Sequence, residues 1–419
     1  MKMPHFRHLT LSLFVAIAGG LLALSYAGAQ QITLNVLYPG GDQPGAQKTV
    51  QALVTPFEKA HPDIKVAFQS VGWDEAYQKI TTDLLAGNAP DVIYIGGRWI
   101  APFAQLGGLL PLDSYVGQAK RDSFPAGVLK GNEFKGKLMG LPVAFSTKAL
   151  YYRTDLIPEP PKTWDALLAD AKKVTQEHPG MYGIGISGAA HVSTTSQFFN
   201  FLYQAGGSVF DDQGHVTLDS PAGVEALTFY TGLYKTDHVA PNPVEYNREQ
   251  LPVLFKQGKI AMMIIGPWGK SIMGLDPNNA TVPYATATLP CDVRCGGIQV
   301  GDSIVISKNT SHPKEAYEFV DYWTSLQAHT TFDLNGGLVP MVQGEQSNAA
   351  FQGAFWEPYL TMISKGFPQP QPLAWEPFQT IITDMIQNVL LGKQTPEEAL
   401  RAATKSIQDK QLEPSAAGS

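Results

Sequence analysis

The sequence predicts an α/β protein of two domains, each organised around a doubly wound, mostly parallel sheet. Strand and helix patterns alternate from residue 32 onward, as in the βαβαβ units that build parallel sheets. The roughly 390 residues that follow the first 29 exceed what one hydrophobic core usually supports. With 44% hydrophobic and 16% charged residues, the chain can bury two sizeable cores.

The first predicted unit runs from strand to helix twice and ends in a third strand. Apolar residues alternate over 32–38, and a stripe at i, i+3, i+4 and i+7 over 50–57 predicts an amphipathic helix. Residues 64–71 form the next predicted strand, and the stripe over 73–84 the next helix. The short apolar run 91–95 is typical of a strand covered on both faces.

A second unit begins near Pro142, and its clearest element is a helix that ends near His178. Thr163 is a suitable N-cap for this helix, and Asp165 lies in its first turn. The Pro-rich stretch 366–377 predicts a rigid, irregular loop. The remaining predicted elements are helices at 198–204, 221–235, 313–325, 378–391 and 396–409 and a strand at 296–307.

The first 29 residues have the pattern of a cleaved signal peptide. Lys2 and Arg7 precede an uncharged apolar run, and small residues around Ala27 and Ala29 form a cleavage site. The alternative is a transmembrane anchor, but the run is shorter than the ~20 residues of a bilayer span and contains Gly19-Gly20. We expect a periplasmic or extracellular protein without a lipid anchor, because no Cys lies near the cleavage site.

Charge and cysteine content narrow the classes of partner. The formal net charge is −7 and no basic cluster occurs, so nucleic acid and anionic membranes are not expected partners. Cys291 and Cys295 are the chain's two cysteines, and in an exported chain they favour a local disulfide. Two thiols without a nearby His do not make a structural zinc site, so no metal is expected.

Several patterns that resemble catalytic or cofactor motifs have ordinary interpretations. Residues 183–188 fit G-x-G-x-x-G, but they follow a helix instead of joining a strand to a helix, so no dinucleotide cofactor is expected. No nucleophile elbow, phosphate-binding loop or metal-spaced His pair occurs. Paired carboxylates for glycoside hydrolysis need only be close in space, and no pair is marked out by the sequence.

A series of segments is similar to the extracellular solute-binding proteins of carbohydrate ABC importers, the group of maltose- and trehalose-binding proteins. The segments keep their order over nearly the whole chain after the leader. They include FEKAHPDIKV from Phe57, LLAGNAPDV from Leu84, LPVAFSTKALYYRTDL from Leu141, GKIAMMIIGPW from Gly258 and GGLVP from Gly336.

This resemblance implies a two-lobed periplasmic-binding-protein fold in which the chain crosses between the lobes three times. The crossings would fall near 143–147, 294–300 and 336–341. The first lobe would comprise 31–143 and 299–340, and the second 147–294 and 341–419. A small carbohydrate would lie between the lobes, and the closed form would dock as a monomer on the permease subunits of an ABC importer.

Sugar recognition requires aromatic rings for the apolar faces of a pyranose and planar polar groups for its hydroxyls. In doubly wound folds such groups lie beyond the carboxyl ends of the strands, here in the loops 39–45 and 96–99. Glycine at a crossing would allow close backbone approach. From position and from the resemblance we predict these ligand-binding residues: Tyr38, Asp42, Trp73, Arg98, Trp99, Phe145, Ser146, Trp268, Gly301, Asp302 and Trp375.

Trp268, held by Gly266-Pro267, corresponds to a stacking aromatic in the similar proteins. An ordinary core role is the alternative for each tryptophan, above all Trp73, whose helical stripe faces inward. Trp375 is expected in the Pro-rich loop, where an exposed aromatic would be unusual without a purpose.

The sequence departs from the pattern of many disaccharide binders at two positions. These proteins carry a carboxylate just after the third strand and another on the first crossing, where this chain has Gly96 and Ser146. Arg98, Asp42 or Asp302 would then pair with the sugar hydroxyls. The resemblance favours an α-linked disaccharide such as maltose or trehalose. The alternatives are an exported glycoside hydrolase or transferase and a binding protein for a glycerol phosphate diester.

Overall fold

A computed structural model describes residues 31–41, 45–274 and 282–414. The predicted signal peptide and Asp42 lie outside these residues. The strands are β1 Ile32–Pro39, β2 Ile64–Val71, β3 Val92–Gly96, β4 Glu133–Phe134, β5 Lys137–Leu138, β6 Gly140–Ser146, β7 Ala149–Arg153, β8 Met262–Ile265, β9 Tyr284–Ala287, β10 Ile298–Ile306 and β11 Phe367–Pro368.

Helices cover both sheets and connect most of the strands. They are α1 Ala46–Ala60, α2 Trp73–Ala86, α3 Ile100–Gln105, α4 Gln118–Arg121, α5 Ala126–Lys130, α6 Trp164–Glu177, α7 Val192–Gln204, α8 Pro221–Lys235, α9 Leu251–Lys256, α10 Gly269–Met273, α11 Pro313–Trp323, α12 Leu326–Gly336, α13 Glu357–Ser364, α14 Trp375–Leu390 and α15 Pro396–Asp409. Within the described residues, no helix is both long and apolar enough to cross a membrane.

The first sheet has the strand order β11-β10-β3-β1-β2, with β6 paired to β10. β1 pairs in parallel with β2 and with β3, which confirms the predicted βαβαβ unit. β10 follows β9 of the second sheet and crosses back to the first sheet. There it pairs antiparallel with β3 and with β6. Alternate residues of β1 reach the core of the sheet, where Leu34 and Val36 are completely buried.

The second sheet has the order β8-β7-β9, and both of its strand pairs are antiparallel. The α/β class and the two-lobed fold are confirmed, but the expected mostly parallel pairing does not describe these three strands. The reason is the route of the chain. β7 enters directly from β6, with Thr147 and Lys148 between them, and it runs opposite to the two strands that flank it.

The glycine-rich segment 183–188 packs beside this second sheet. Gly185 forms an isolated parallel bridge with Met263, and Ile184 and Ile186 are buried. A Cβ at Gly183 would overlap the backbone of Ala171 in α6. Gly183 therefore allows α6 to pack closely against this segment.

Local sequence signals explain several boundaries. The Thr163 side chain accepts a hydrogen bond from Ala166 N at 3.2 Å and caps α6, as predicted. Cys291 and Cys295 are joined by a disulfide. The predicted irregular loop 366–377 is wrong in part, because Phe367–Pro368 pairs with β10 and α14 begins at Trp375.

Candidate functional site

A cavity of ≈ 380 Å³ lies between the two sheets, within the range of small-molecule sites. One wall comes from the ends of β1 and β3 and the start of α2. The other wall comes from α7, the segment 247–249 and the turn after β8. The floor is formed by the strands that pass between the sheets, and its residues include Ser146, Lys148, Val300 and Asp302.

The first wall is aromatic. Tyr38, Trp73 and Tyr94 line it, with ring centroids 5.2 Å apart for Tyr38–Tyr94 and 5.9 Å for Trp73–Tyr94. Both tyrosines lie near the carboxyl ends of parallel strands; Tyr38 was predicted from this position, whereas Tyr94 was not predicted. Burial raises the pKa of both phenols, and the Asp302 carboxylate raises it further, so both hydroxyls stay protonated donors.

Arg98 lies at the inner end of this wall, in the 3₁₀ turn Gly97–Trp99. It is 7% exposed, and its guanidinium carbon is 5.4 Å from the Trp73 ring centroid, 4.6 Å from Trp99 and 5.4 Å from Trp375. A Cβ at position 96 would overlap Nη1 of Arg98. Gly96 therefore leaves the space in which the guanidinium folds back over the strand end.

Trp99 and Trp375 lie behind Arg98 and do not line the cavity. Each is 1% exposed. Trp99 Nε1 donates to Glu376 Oε1 at 3.1 Å, and Trp375 Nε1 donates to Gln379 Oε1 at 2.8 Å. The expected exposed loop position of Trp375 is wrong, because the residue opens α14 and packs inward. Both indoles pack against the guanidinium of Arg98.

The floor of the cavity carries two charged residues, Lys148 and Asp302. Tyr94 Oη donates to Asp302 Oδ2 at 2.9 Å, and Lys148 Nζ donates to Ser146 Oγ at 3.2 Å. Lys148 is 1% exposed although it lines the cavity. We call Arg98, Lys148 and Asp302 the cleft cluster.

Burial shifts the pKa of the acid and the pKa of the two bases of the cleft cluster in opposite directions. It raises the pKa of Asp302, against the influence of Arg98. It lowers the pKa of Lys148 well below the usual value, helped by the nearby Arg248, while Glu249 and Asp302 oppose the change. It also lowers the pKa of Arg98, against Asp302 and Glu376, yet arginine stays protonated.

The second wall combines an indole with a neutralised arginine. The Trp268 ring is half-buried and lies 5.0 Å from Lys148 Nζ and 5.3 Å from the guanidinium carbon of Arg248. Arg248 donates to Glu249 Oε1 at 2.6 and 3.0 Å and to Ser196 Oγ at 3.0 Å. Gly337, with φ +67°, allows the backbone of Trp268 to approach, since a Cβ there would lie 2.7 Å from Trp268 Cα.

Two of the predicted residues face another side of the floor. Phe145 and Gly301 line a second cavity of ≈ 660 Å³ and not the first. The alternation of β10 explains this, because Val300 faces the first cavity while Gln299 and Gly301 face the second. The first cavity brings together these predicted residues: Tyr38, Trp73, Arg98, Ser146, Trp268 and Asp302.

Several lining residues were missed by the sequence reasoning. Lys148 had a usable signal, since it is the one charge in the apolar strand region 141–152. His191, Arg248 and Glu249 had none, because their segments reach the cavity only through the fold. Although burial raises the pKa of Glu249, Arg248 and His191 lower it more, and the carboxylate stays charged.

A second buried group of charges lines neither cavity. His329, Asp333 and Glu345, the closed cluster, are each 0% exposed. His329 Nδ1 is 3.2 Å from Glu345 Oε1 and 3.3 Å from Asp333 Oδ2. Glu345 Oε2 also accepts from the backbone N of Met341 and Val342 at 2.9 and 3.0 Å. One ligand-type atom from each residue could contribute to a metal site. His329 Nε2 and both carboxylate oxygens of Asp333 are buried without a hydrogen-bond partner among the described residues.

Comparisons with known proteins agree with this architecture. Residues 40–329 match the family model for the bacterial extracellular solute-binding protein. A putative binding protein of Brucella abortus (strain 2308) is 30% identical over 83% of this chain and 86% of its own length. A putative ABC transporter periplasmic-binding protein of Escherichia coli K12 is 29% identical over 87% and 89%.

Solved structures give the same result. An ABC transporter solute-binding protein from Thermotoga lettingae, bound with α-D-tagatose, is 28% identical with a TM-score of 0.82 and covers 90% of this chain and 99% of its own. The maltose-bound MalE3 of T. maritima, 24% identical, has the same fold with a TM-score of 0.80, over 90% and 100%. The resemblance drawn from the sequence is thus confirmed, and the chain belongs to the family of bacterial extracellular solute-binding proteins.

Proposed function

We propose that the protein is the exported binding component of an ABC importer and carries a mono- or disaccharide between its two lobes. The observation that carries this proposal is the cavity itself, which is lined by aromatic side chains on both walls and has a charged, hydrogen-bonding floor. Trp268 and Trp73 offer faces for the apolar C–H surface of a pyranose. Asp302, Lys148 and Arg98 offer acceptors and donors for its hydroxyls.

Known relatives support the choice of ligand class. The tagatose-bound structure is the more similar of the two solved relatives described above. A maltotriose-binding protein of Pyrococcus abyssi is 27% identical over 68% of this chain and 61% of its own length. An α-glucoside such as maltose or trehalose is therefore the first candidate among neutral sugars.

The remaining parts of the proposal follow from this role. The signal peptide would be cleaved after Ala29, and the mature monomer would be free in the periplasm or outside the cell. Residues 31–143 with 299–340 and residues 147–294 with 341–419 would move as two lobes about the strands of the floor. The closed form would dock on permease subunits, and the sugar would leave chemically unchanged, without catalysis.

A ligand screen with matched tryptophan variants tests the proposal. Mature protein would be screened by thermal shift against neutral and acidic mono- and disaccharides, and the bound sugar would be recovered and identified by mass spectrometry. Trp268→Ala should weaken binding by about 30-fold or more, as for a central aromatic anchor. Trp356→Ala is the control, because Trp356 is also half-buried but lines neither cavity.

Two outcomes would contradict the proposal. One is conversion of the sugar into a product, which would favour the hydrolase or transferase alternative. The other is the absence of any sugar that shifts the melting temperature, or a Trp268→Ala variant with intact affinity.

A further inference from the structure

Two cations face the cavity without a carboxylate partner. Among the described residues, no Asp or Glu oxygen lies within 4.0 Å of Arg98 or Lys148, whereas Arg248 pairs with Glu249 at 2.6 Å. Lys148 has three N–H donors and its one hydrogen bond to a described side chain goes to Ser146. Nε of Arg98 is buried without a hydrogen-bond partner.

Such an arrangement is costly in the free protein. An ammonium or guanidinium withdrawn from water loses several kcal/mol of hydration unless a counter-charge offsets it. Lys148 is 1% exposed and Arg98 is 7% exposed, so water compensates little of this loss. An incoming anion would supply the missing counter-charge, because both side chains line the same cavity.

The charge of the cleft cluster sets the charge of that anion. Arg98 and Lys148 contribute two positive charges and Asp302 one negative charge, while Arg248 and Glu249 cancel each other. When Lys148 is protonated and Asp302 is ionised, the three side chains of the cluster therefore carry a net charge of +1. A single carboxylate would balance it, whereas a doubly charged phosphate monoester would leave an excess negative charge in a buried site.

We propose, on the basis of the sugar-binding function proposed above, that the ligand is an acidic saccharide with one carboxylate group, such as a uronic or aldonic acid, and that Lys148 and Arg98 bind this carboxylate. Lys148 lies 5.0 Å from the centroid of the Trp268 ring. A pyranose stacked on Trp268 would therefore bring an attached carboxylate beside the ammonium. Arg98 offers the planar N–H pair that suits a carboxylate.

The direct test compares ligands that differ in one group. Calorimetry would be run with hexuronates of gluco, galacto and manno configuration, with aldonates, and with uronate-containing disaccharides. Each acid is matched by its neutral parent sugar and by its uncharged amide, and hexose 6-phosphates form a separate arm. The best acid should bind at least about 10-fold more tightly than its amide and its parent, the range for a charge-assisted hydrogen bond.

A charge-removing variant provides the second test. Lys148→Met should weaken binding of the acid by about 10- to 100-fold. It should weaken binding of the neutral parent by a much smaller factor, so the preference for the acid is lost. If Lys148→Met does not fold, the wild-type protein suffices. Because burial lowers the pKa of Lys148, binding of the acid should weaken as the pH rises through that pKa, while binding of the amide should not.

The outcomes separate this inference from the proposed function. Tight binding of neutral sugars with no preference for the acids would overturn the inference and leave the proposed function intact. A preference for hexose 6-phosphates over carboxylates would also overturn it. Failure of every saccharide to bind would overturn both.

Discussion

The cleft cluster and the closed cluster are both buried groups of charged side chains, but they differ in how their charges are balanced. In the closed cluster, His329 lies within 3.3 Å of both carboxylates, and the Glu345 carboxylate also accepts two backbone hydrogen bonds. In the cleft cluster, Arg98 and Lys148 have no carboxylate within 4.0 Å among the described residues.

From this difference we expect the closed cluster to stabilise the fold, and we propose that the cleft cluster binds a ligand. A buried ion pair that is complete within the protein is destabilised when one partner is removed. A buried cation without a partner costs stability in the free protein, so its removal should cost binding more than folding. The following variants test this distinction, from the largest expected effect to the smallest.

His329→Gln should produce the largest change in stability. The substitution removes the cation between Asp333 and Glu345, and loss of one partner of a buried pair typically costs about 3–5 kcal/mol. Urea unfolding followed by circular dichroism gives the free energy, and ligand affinity at a temperature where the variant is folded should be unchanged. A cost below about 1 kcal/mol would show that the cluster does not hold the fold.

The pH dependence of stability should also come from the closed cluster. Burial lowers the pKa of His329, but Asp333 and Glu345 outweigh burial and raise it to about 10. Burial raises the pKa of Asp333 to about 7, against the influence of His329. Both groups therefore bind protons more tightly in the folded state, and stability should fall as the pH rises.

Two pH windows follow from these values. The Asp333 contribution is lost from about pH 4 to 7, and the His329 contribution is complete below about pH 6.5 and lost towards pH 10. Asp333→Asn, which mimics the protonated acid, should flatten the lower window and stay close to wild-type stability at pH 7. Equal pH dependence in wild type and Asp333→Asn would contradict this assignment.

A pair of arginine variants tests the two walls of the cavity directly. Arg98→Met should weaken binding of the ligand by about 10- to 100-fold and cost less stability than Arg248→Met, because no described carboxylate lies within 4.0 Å of the Arg98 guanidinium. Arg248→Met should destabilise the fold by about 2 kcal/mol. This is below the range for full burial, since the Glu249 carboxylate left behind is 21% exposed. The reverse pattern in calorimetry and urea unfolding would contradict the contrast.

Thr163→Ala should have the smallest effect on stability. It serves as a reference for a substitution that removes no charge. The variant removes the N-cap of α6, which typically costs about 1 kcal/mol. Affinity should not change, because Thr163 lines neither cavity. A measurable change in ligand affinity would show that loss of stability alone weakens binding in this protein. The affinities of Arg98→Met and Arg248→Met could then not be compared without subtracting that effect.

Much of the fold could be predicted because the spacing of apolar residues along the sequence indicates the helices and strands. β2, α8 and α15 have the predicted bounds, and the parallel pairing of β1 with β2 and β3 followed from the intervening helices. The antiparallel pairing of the second sheet could not be predicted. Its direction depends on how β7 enters from β6, and no local pattern records that route.

Site residues that follow the end of a strand could be predicted from the sequence. Site residues whose position depends on tertiary packing could not. Tyr38 and Arg98 follow strands, and both line the cavity. Trp99 shares the turn of Arg98, but the turn sends its side chain into the core. Arg248 reaches the cavity from a loop about 100 residues beyond the first crossing, a proximity that the sequence does not express.

A crystal structure of the mature protein with its tightest-binding acidic sugar tests the central claim most directly. We predict a pyranose between the two walls with one face on Trp268. The carboxylate should lie at about 2.7–2.9 Å from Lys148 Nζ and from a guanidinium nitrogen of Arg98. A carboxylate directed to solvent, or a sugar outside this cavity, would contradict the account.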